Sequence, residues 1–133
     1  MNMSRRKMRE TIFRLLFPIE FNTREELKEQ TEYFFSKNDE IASKDRRYIE
    51  DKLDAILDRQ TEIDEKISSI CEGWRIERIG KAELSIMRLA VYEILEDADI
   101  PVKVAINEAV ELSKIYCDAE APRFVNGVLA KLA

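Results

Sequence analysis

Apolar residues recur at the spacing of an α-helix along most of the chain, and nowhere do they alternate with polar residues as in a half-buried β-strand. The spacing i, i+4, i+7, i+8 begins at Ile49 and again at Ile63. Three Gly and three Pro among 133 residues are too few for the many turns of an all-β fold. The sequence therefore predicts an all-α fold, a compact single domain of about seven helices that spans residues 1–133.

Capping and helix-breaking residues indicate the ends of the first two helices. Ser4 can accept a backbone hydrogen bond at the start of the first helix, and Pro18 should end it because proline disfavours helical backbone at the preceding residue. Thr23 and Glu26 have the spacing of a capping box, in which each side chain accepts a hydrogen bond from the other residue's backbone. A second helix is therefore predicted to begin at this box.

Five further helices are predicted downstream. In the connector from 74 to 80 we expect Trp74, Ile76 and Ile79 to pack inward, and Gly73 suits the left-handed backbone that often follows a helix end. The third helix is predicted to begin near Ser43 and the fourth at a cap residue, Thr61. The last three are predicted over 82–95, over 102–116 with Pro101 suited to the first helical position, and over 120–132.

The segment from 82 to 95 differs from the other helices because apolar residues cover most of its circumference. Such a helix is typically buried on several sides, so we expect it to be the central one. Glu83 and Arg88 interrupt its apolar surface. They either mark an edge that docks another protein or simply reach solvent at the two rims, and the sequence leaves both interpretations open.

Asn126 and Gly127 form a dipeptide typical of hairpin turns, yet they lie within a helical apolar stripe that includes Val125 and Val128. We predict that the helix prevails, although a Gly inside a helix costs roughly 1 kcal/mol relative to Ala. The missing side chain would then leave room beside Gly127 for a stacked base or a packed helix.

Composition argues against catalysis and metal binding. The chain has no His, the commonest general base and metal ligand, and its two cysteines, Cys71 and Cys117, lack metal-binding or redox spacing. The acidic run from 20 to 72 lacks a calcium-binding pattern and a catalytic carboxylate pair. No apolar run is long enough to span a membrane, and the N-terminus lacks the apolar core of a signal peptide. We therefore expect a cytoplasmic, non-enzymatic protein with no metal or cofactor.

Positive charge is concentrated at the N-terminus. Residues 1–14 contain five cations and one carboxylate, although the whole chain carries a net charge of −5. Four of the cations, Arg5, Arg6, Lys7 and Arg9, fall in the first turns of a helix, where the macrodipole makes cations unfavourable. This placement favours a phosphate-binding site over the alternative, a frayed and solvated helix start.

Two positions in the C-terminal half each allow two interpretations. Phe124 lies at the margin of the apolar stripe, where it either widens the core or offers a ring on which an unpaired base stacks, with Arg123 and Lys131 near for phosphates. Asn107 belongs to a polar stripe of the preceding helix. We favour a partly buried Asn107 amide that ties two helices together over a solvated one.

Two segments closely resemble the NusB family of bacterial transcription antitermination factors. They are Ile-Pro-Val-Lys-Val-Ala-Ile-Asn-Glu-Ala-Val-Glu-Leu-Ser-Lys at 100–114 and Arg-Phe-Val-Asn-Gly-Val-Leu-Ala-Lys at 123–131. The Arg-Arg-Lys-Met-Arg-Glu opening is similar to the family's arginine-rich motif, and 84–95 to its central helix. The resemblance is specific in residues 81–132 and weak in 20–72.

The resemblance implies a fold of two small packed helical bundles and a role in ribosomal RNA synthesis. Members of the family bind boxA RNA as a heterodimer with a small-subunit ribosomal protein, called NusE in this role. The complex joins NusA, NusG and RNA polymerase to suppress termination. Whether the free protein is a monomer or a homodimer stays open.

The resemblance also assigns residues. Phe17 stands where Tyr is often found and Glu120 where a shorter acid occurs, while Pro122 is a departure that would start the last helix slightly later. The surface facing NusE should include Glu83 and Met87. RNA contacts are expected at Arg5, Arg6, Lys7, Arg9, Phe17, Glu120, Arg123 and Phe124, to which the charge argument above adds Lys131.

Two other functions remain as alternatives. Similar helical domains form the N-terminal RNA-binding part of ribosomal RNA cytosine methyltransferases, which need a following methyl-donor domain that is not found within these 133 residues. A structural adaptor that uses its acidic face without binding RNA is the third possibility.

Overall fold

The computed structural model describes residues 3–71, 73 and 75–133, so the inward packing expected of Trp74 lies outside the described residues. Within these ranges the chain forms seven α-helices, three short 3₁₀ helices and no β-strand, which confirms the all-α prediction. The 3₁₀ helices cover Phe17–Glu20, Ile76–Arg78 and Ala130–Leu132. The α-helices are α1 (Arg5–Leu16), α2 (Arg24–Lys37), α3 (Ser43–Asp58), α4 (Gln60–Ile70), α5 (Lys81–Glu96), α6 (Val102–Tyr116) and α7 (Ala121–Leu129).

The chain divides into two compact units, residues 1–57 and 58–133. The first unit holds α1, α2 and nearly all of α3, and the second holds α4 to α7. Each unit has buried apolar residues on its helices, as the helical stripes predict.

In the first unit, the starts of α1 and α2 and the end of α1 lie where the sequence predicts. The Ser4 hydroxyl accepts a hydrogen bond from the Lys7 backbone at 3.0 Å, and α1 ends at Leu16, just before the 3₁₀ helix that contains Pro18. At the start of α2, Thr23 N–H donates to Glu26 at 2.8 Å and Glu26 N–H donates to Thr23 Oγ1 at 3.2 Å. Both predicted caps are confirmed.

Two residues at helix starts in the second unit, Thr61 and Pro101, occupy other positions than the sequence predicts. Only Arg59 separates α3 from α4, so Arg59 occupies the N-cap position and Thr61 lies inside the first turn of α4. The Thr61 cap is therefore wrong, because the chain re-enters a helix before Thr61 is reached. Pro101 is the N-cap residue of α6 rather than its first helical residue, but α6 covers Val102–Tyr116, the range that the sequence predicts.

Helix α5 is buried over its whole middle, since every residue from 84 to 91 has little or no exposed surface. This confirms the prediction of a central helix. Arg88 neither reaches solvent nor marks a docking edge: its side chain is 5% exposed and forms a bidentate ion pair with Asp64 of α4, with Nε 2.8 Å from Oδ1 and a terminal nitrogen 3.0 Å from Oδ2.

The Asn126-Gly127 dipeptide lies within α7, so the helix prevails over the hairpin turn, as predicted. A Cβ atom added at Gly127 would find nothing within 4 Å, so the space beside Gly127 is open and no described helix packs closely against it. Gly73 adopts the predicted left-handed backbone, with φ of 77°. Asn107 is exposed on α6, so the partly buried amide is wrong and the solvated alternative holds.

Candidate nucleic-acid interface

The predicted RNA contacts fall into two groups, one in each unit. In the first unit the start of α1 presents Arg5, Arg6 and Lys7, all exposed. The Lys7 amine pairs with Glu10 at 3.1 Å, and the Lys7 side chain is 57% exposed. Exposed pairs of this kind contribute about 0–1 kcal/mol, so the Lys7 amine can leave Glu10 for a phosphate at little cost.

Arg9 differs from its neighbours because it is 8% exposed and makes its polar contacts within the protein. The reason is its position on the helix. Arg9 lies three and four residues before Ile12 and Phe13, which are buried, and so belongs to the inward stripe of α1. A helical wheel of the N-terminal motif would have separated Arg9 from the exposed cations.

Phe17 is half-buried in the 3₁₀ helix that follows α1. Its ring centroid lies 6.3 Å from that of Phe13 and 6.3 Å from that of Phe21, with tilted planes, so the three rings form a row. Phe21 is 67% exposed, which the sequence analysis did not single out although its i+4 spacing from Phe17 was visible. The aromatic character predicted for this region therefore extends one ring further.

The second unit contains a cavity of about 610 Å³, here called the C-terminal cavity. It brings together four of the predicted site residues from α5, α7 and the segment before α7. Lys131 is not among its lining residues, because its amine donates a hydrogen bond to the Ile70 carbonyl at 2.8 Å. The polar and aromatic residues that line it are Arg78, Glu83, Asp118, Glu120, Arg123 and Phe124.

Two guanidinium groups in the C-terminal cavity are available for a ligand. Neither Arg78 nor Arg123 forms an ion pair or side-chain hydrogen bond with any residue the structure describes, and both are exposed. Sequence reasoning missed Arg78, which lies in the short 3₁₀ helix before α5 and has no motif around it. Phe124, half-buried beside them, supplies an aromatic surface. Guanidinium forks bind phosphates and aromatic rings stack on bases, so the lining suits a nucleotide.

Glu83 lies at the start of α5, close to Gly80 and Cys117. Its carboxylate lies so close to Gly80 that a Cβ atom there would collide with it. Burial, followed by a hydrogen bond with Glu83, raises the pKa of the Cys117 thiol to about 12. The Glu83 carboxylate therefore occupies space that the missing side chain at Gly80 leaves open, and it contacts the Cys117 thiol.

Met87, the other residue expected at a partner surface, is completely buried. It lies one helical turn beyond Glu83, but on a helix whose middle is buried all round. Its side chain offers no accessible surface, so we keep the partner-surface prediction for Glu83 alone.

Among the residues that the structure describes, no three His, Cys, Asp or Glu side chains are grouped as metal ligands. In the same part of the chain, no helix is long and apolar enough to cross a membrane.

Comparison with known families identifies this architecture. Residues 6–133 match the model of the NusB family. The transcription antitermination protein NusB of Agathobacter rectalis is 48% identical over 134 aligned positions, which cover 98% of this chain and all of the relative. NusB of Lachnoclostridium phytofermentans is 44% identical, with 98% of each chain covered. These names describe a role in transcription and no catalysed reaction.

Solved structures agree with the sequence relatives. NusB of T. maritima superimposes with a TM-score of 0.87 at 32% identity, covering all of this chain and 92% of that one. NusB in a complex of the antitermination factors NusB and NusE with double-stranded RNA gives a TM-score of 0.81 at 25% identity, covering 96% and 94% of the two chains. The chain belongs to the NusB family of transcription antitermination proteins, which are not enzymes.

Proposed function

We propose that this protein binds single-stranded boxA RNA of ribosomal RNA transcripts together with the small-subunit ribosomal protein NusE. The complex then joins NusA, NusG and RNA polymerase in the cytoplasm and suppresses termination. In this role the protein is an adaptor over residues 1–133 and needs no metal or cofactor.

The C-terminal cavity is the observation that carries the proposal. It combines Phe124 with two guanidinium groups, Arg78 and Arg123, that have no ion-pair partner among the described residues. A half-buried ring is reached by an unpaired base, whereas the bases of a duplex stay stacked inside it. The carboxylates of Glu83 and Glu120 can accept hydrogen bonds from base amino groups. The related NusB in the solved complex is accompanied by NusE and double-stranded RNA, which supports RNA and NusE as ligand classes.

RNA binding is tested by comparing boxA RNA, a scrambled strand and a boxA duplex, each in the presence of NusE. We expect the single boxA strand to bind most tightly. Equal affinity for the boxA and scrambled strands would remove the boxA proposal, and preference for the duplex would remove the single-strand one.

Two substitutions test the cavity itself. Phe124→Ala should weaken RNA binding by roughly 1–3 kcal/mol through the loss of stacking, and Arg123→Ala should reduce the slope of log affinity against log salt by about 0.7. Ile115→Ala, which truncates a 65% exposed apolar side chain that does not line the cavity, is the matched control. Unfolding is followed in parallel, because a lower melting temperature with unchanged RNA affinity would make Phe124 a structural residue.

The NusE contact is tested at Glu83. Glu83→Gln keeps the shape of the side chain and removes its charge, so we expect weaker NusE binding with an unchanged melting temperature. Glu65→Gln, at an exposed position of α4, is the control for the loss of one negative charge. If both variants bind NusE equally well, Glu83 is not part of the interface. A mass measurement of the free protein, made with the same preparation, distinguishes monomer from homodimer.

A further inference from the structure

The first unit contains a second cavity, of about 390 Å³, here called the N-terminal cavity. Its volume lies in the range of small-molecule sites. Only Lys7 among its lining residues belongs to the predicted RNA contacts. The side chains that matter are Lys7, Thr11 and Arg14 of α1, Phe34 of α2, and Asn38 and Glu40 of the segment that follows α2.

Helix α1 contributes two cations to this cavity. Lys7, Thr11 and Arg14 have the spacing i, i+4, i+7 and so lie on one helix face. Arg14 is exposed and forms no hydrogen bond or ion pair with any part of the chain that the structure describes. Thr11 Oγ1 donates to the Lys7 carbonyl at 2.9 Å and the Lys7 N–H donates to Ser4, so the backbone that carries Lys7 is well anchored.

The opposite lining combines an aromatic ring with an amide. The half-buried Phe34 ring contacts Phe35 edge to face, with centroids 5.1 Å apart and planes at 81°, and Phe35 is buried. Asn38 Nδ2 donates to the Phe34 carbonyl at 2.8 Å. Its side-chain oxygen accepts no hydrogen bond from the residues described, so it can accept one from a ligand.

Taken together, these groups match the parts of a nucleotide. An aromatic ring offers a stacking surface, an amide can pair with the edge of a base, and two cations can bind a phosphate. Two cations and one carboxylate, Glu40, are the charged residues of the lining, which is therefore cationic on a protein whose net charge is −5.

We propose that the N-terminal cavity binds one unpaired nucleotide of the RNA, with the base against Phe34, its edge at Asn38 and its phosphate at Lys7 and Arg14. The inference rests on the proposed RNA-binding function and adds Arg14, Phe34 and Asn38 to the RNA-contacting residues. It makes α1 a binding element over its whole exposed length instead of over its first turns alone.

Two substitutions in the full-length protein test the site with boxA RNA. Phe34→Leu keeps an apolar side chain but removes the ring, and we expect affinity to fall roughly 5- to 150-fold, the range measured for loss of base stacking. Arg14→Gln, at an exposed position where folding is not at risk, should reduce the salt slope by about 0.7. The matched controls are Tyr33→Leu and Arg47→Gln, exposed residues of the same unit outside the cavity.

RNA strands with a single abasic position locate the bound nucleotide. We expect one abasic position that weakens binding to the unsubstituted protein and has no further effect on Phe34→Leu, since base and ring are then already separated. The site would be overturned if Arg14→Gln and Phe34→Leu bound boxA RNA as tightly as their controls while Arg123→Ala still weakened binding. That result would leave the proposed function standing. Absence of any boxA binding by the unsubstituted protein would overturn both.

Discussion

The buried ion pair between Arg88 and Asp64 allows a quantitative prediction about the second unit. We expect Asp64→Ala to lower the free energy of unfolding far more than the loss of an exposed ion pair does. The substitution leaves the Arg88 guanidinium, 5% exposed, inside the protein without the carboxylate that receives two of its hydrogen bonds.

The magnitude follows from burial and geometry. Hydrogen bonds to charged groups contribute about 1.5–3 kcal/mol each, and breaking a buried pair by removing one partner costs about 3–5 kcal/mol. The Asp64 side chain is 26% exposed, so water can reach part of the space it leaves. We therefore take the lower end, about 3 kcal/mol, which corresponds to roughly 10 °C in melting temperature for a chain of this size.

The assay is thermal and chemical unfolding followed by circular dichroism, which reports on an all-helical protein directly. The control is Glu96→Ala, which removes the carboxylate 3.1 Å from Arg59, a pair whose side chains are 36% and 45% exposed. That loss should cost about 0–1 kcal/mol. Replacing Arg88 by Met together with Asp64 by Leu should recover most of the stability, since the double replacement leaves no unpaired charge from this pair inside the protein. Equal effects of Asp64→Ala and Glu96→Ala would refute the reasoning.

Three further predictions concern single positions. Gly127→Ala should raise the free energy of unfolding by about 1 kcal/mol, because a Cβ there meets no described atom and Ala is the better helix former; no gain on denaturant unfolding would contradict this. Ser85→Ala should also stabilise, by about 1 kcal/mol, since the buried Ser85 hydroxyl has no hydrogen-bond partner among the described residues; a lower melting temperature would speak against it. Burial and the Glu83 hydrogen bond raise the pKa of the Cys117 thiol from 9.0 to about 12. Because only the thiolate reacts, we expect alkylation of Cys117 in mildly alkaline buffer, measured by mass spectrometry, to be slower than that of an ordinary thiol by roughly two to three orders of magnitude. The unfolded thiol loses its proton first, so this residue lowers stability as pH rises from about 9 to about 12; rapid alkylation of the folded protein would exclude the raised pKa.

Helix positions and caps could be read from the sequence because they depend on local interactions. Ser4 and the Thr23–Glu26 box satisfy backbone donors within one turn, so their spacing alone predicts the hydrogen bonds that the structure contains. The predicted cap at Thr61 was wrong because of where the neighbouring helix ends. A cap residue works only where the chain leaves helical geometry, and α4 starts one residue after α3 ends.

The burial of charged side chains was harder to predict, because it depends on partners distant in sequence. Arg88 has its partner 24 residues earlier, on another helix, so no pattern within α5 reveals it. Arg9 was predictable, since its place on the apolar stripe of α1 follows from helical periodicity. A basic motif thus has to be divided by helix face before its charges are assigned to a ligand.

The residues that line the two cavities could be predicted from the sequence only in part. Phe124 and Arg123 are neighbours in an identifiable motif, but Arg78 joins their cavity from a segment 45 residues before Arg123 and carries no local signal. Arg14 was counted only as one of several N-terminal charges. Its place beside Phe34 and the residues after α2 follows from the fold of the first unit.

An acidic protein can bind RNA selectively if its unpaired cations lie beside other groups that bind RNA. A net charge of −5 repels a polyanion, so binding that depended on phosphate contacts alone would be weak and strongly salt-sensitive. Among the exposed guanidinium groups without partners in the described structure, Arg14, Arg78 and Arg123 each line a cavity that also holds an aromatic ring, whereas Arg5 and Arg47 line neither cavity. Under the proposed function, a strand gains most from the three cations beside the cavities where it can also place an unpaired base there, and stacking depends on which bases are free to leave their neighbours. Under the proposed function we therefore expect the two cavities to favour a strand with unpaired bases, since a uniformly basic surface would bind any strand.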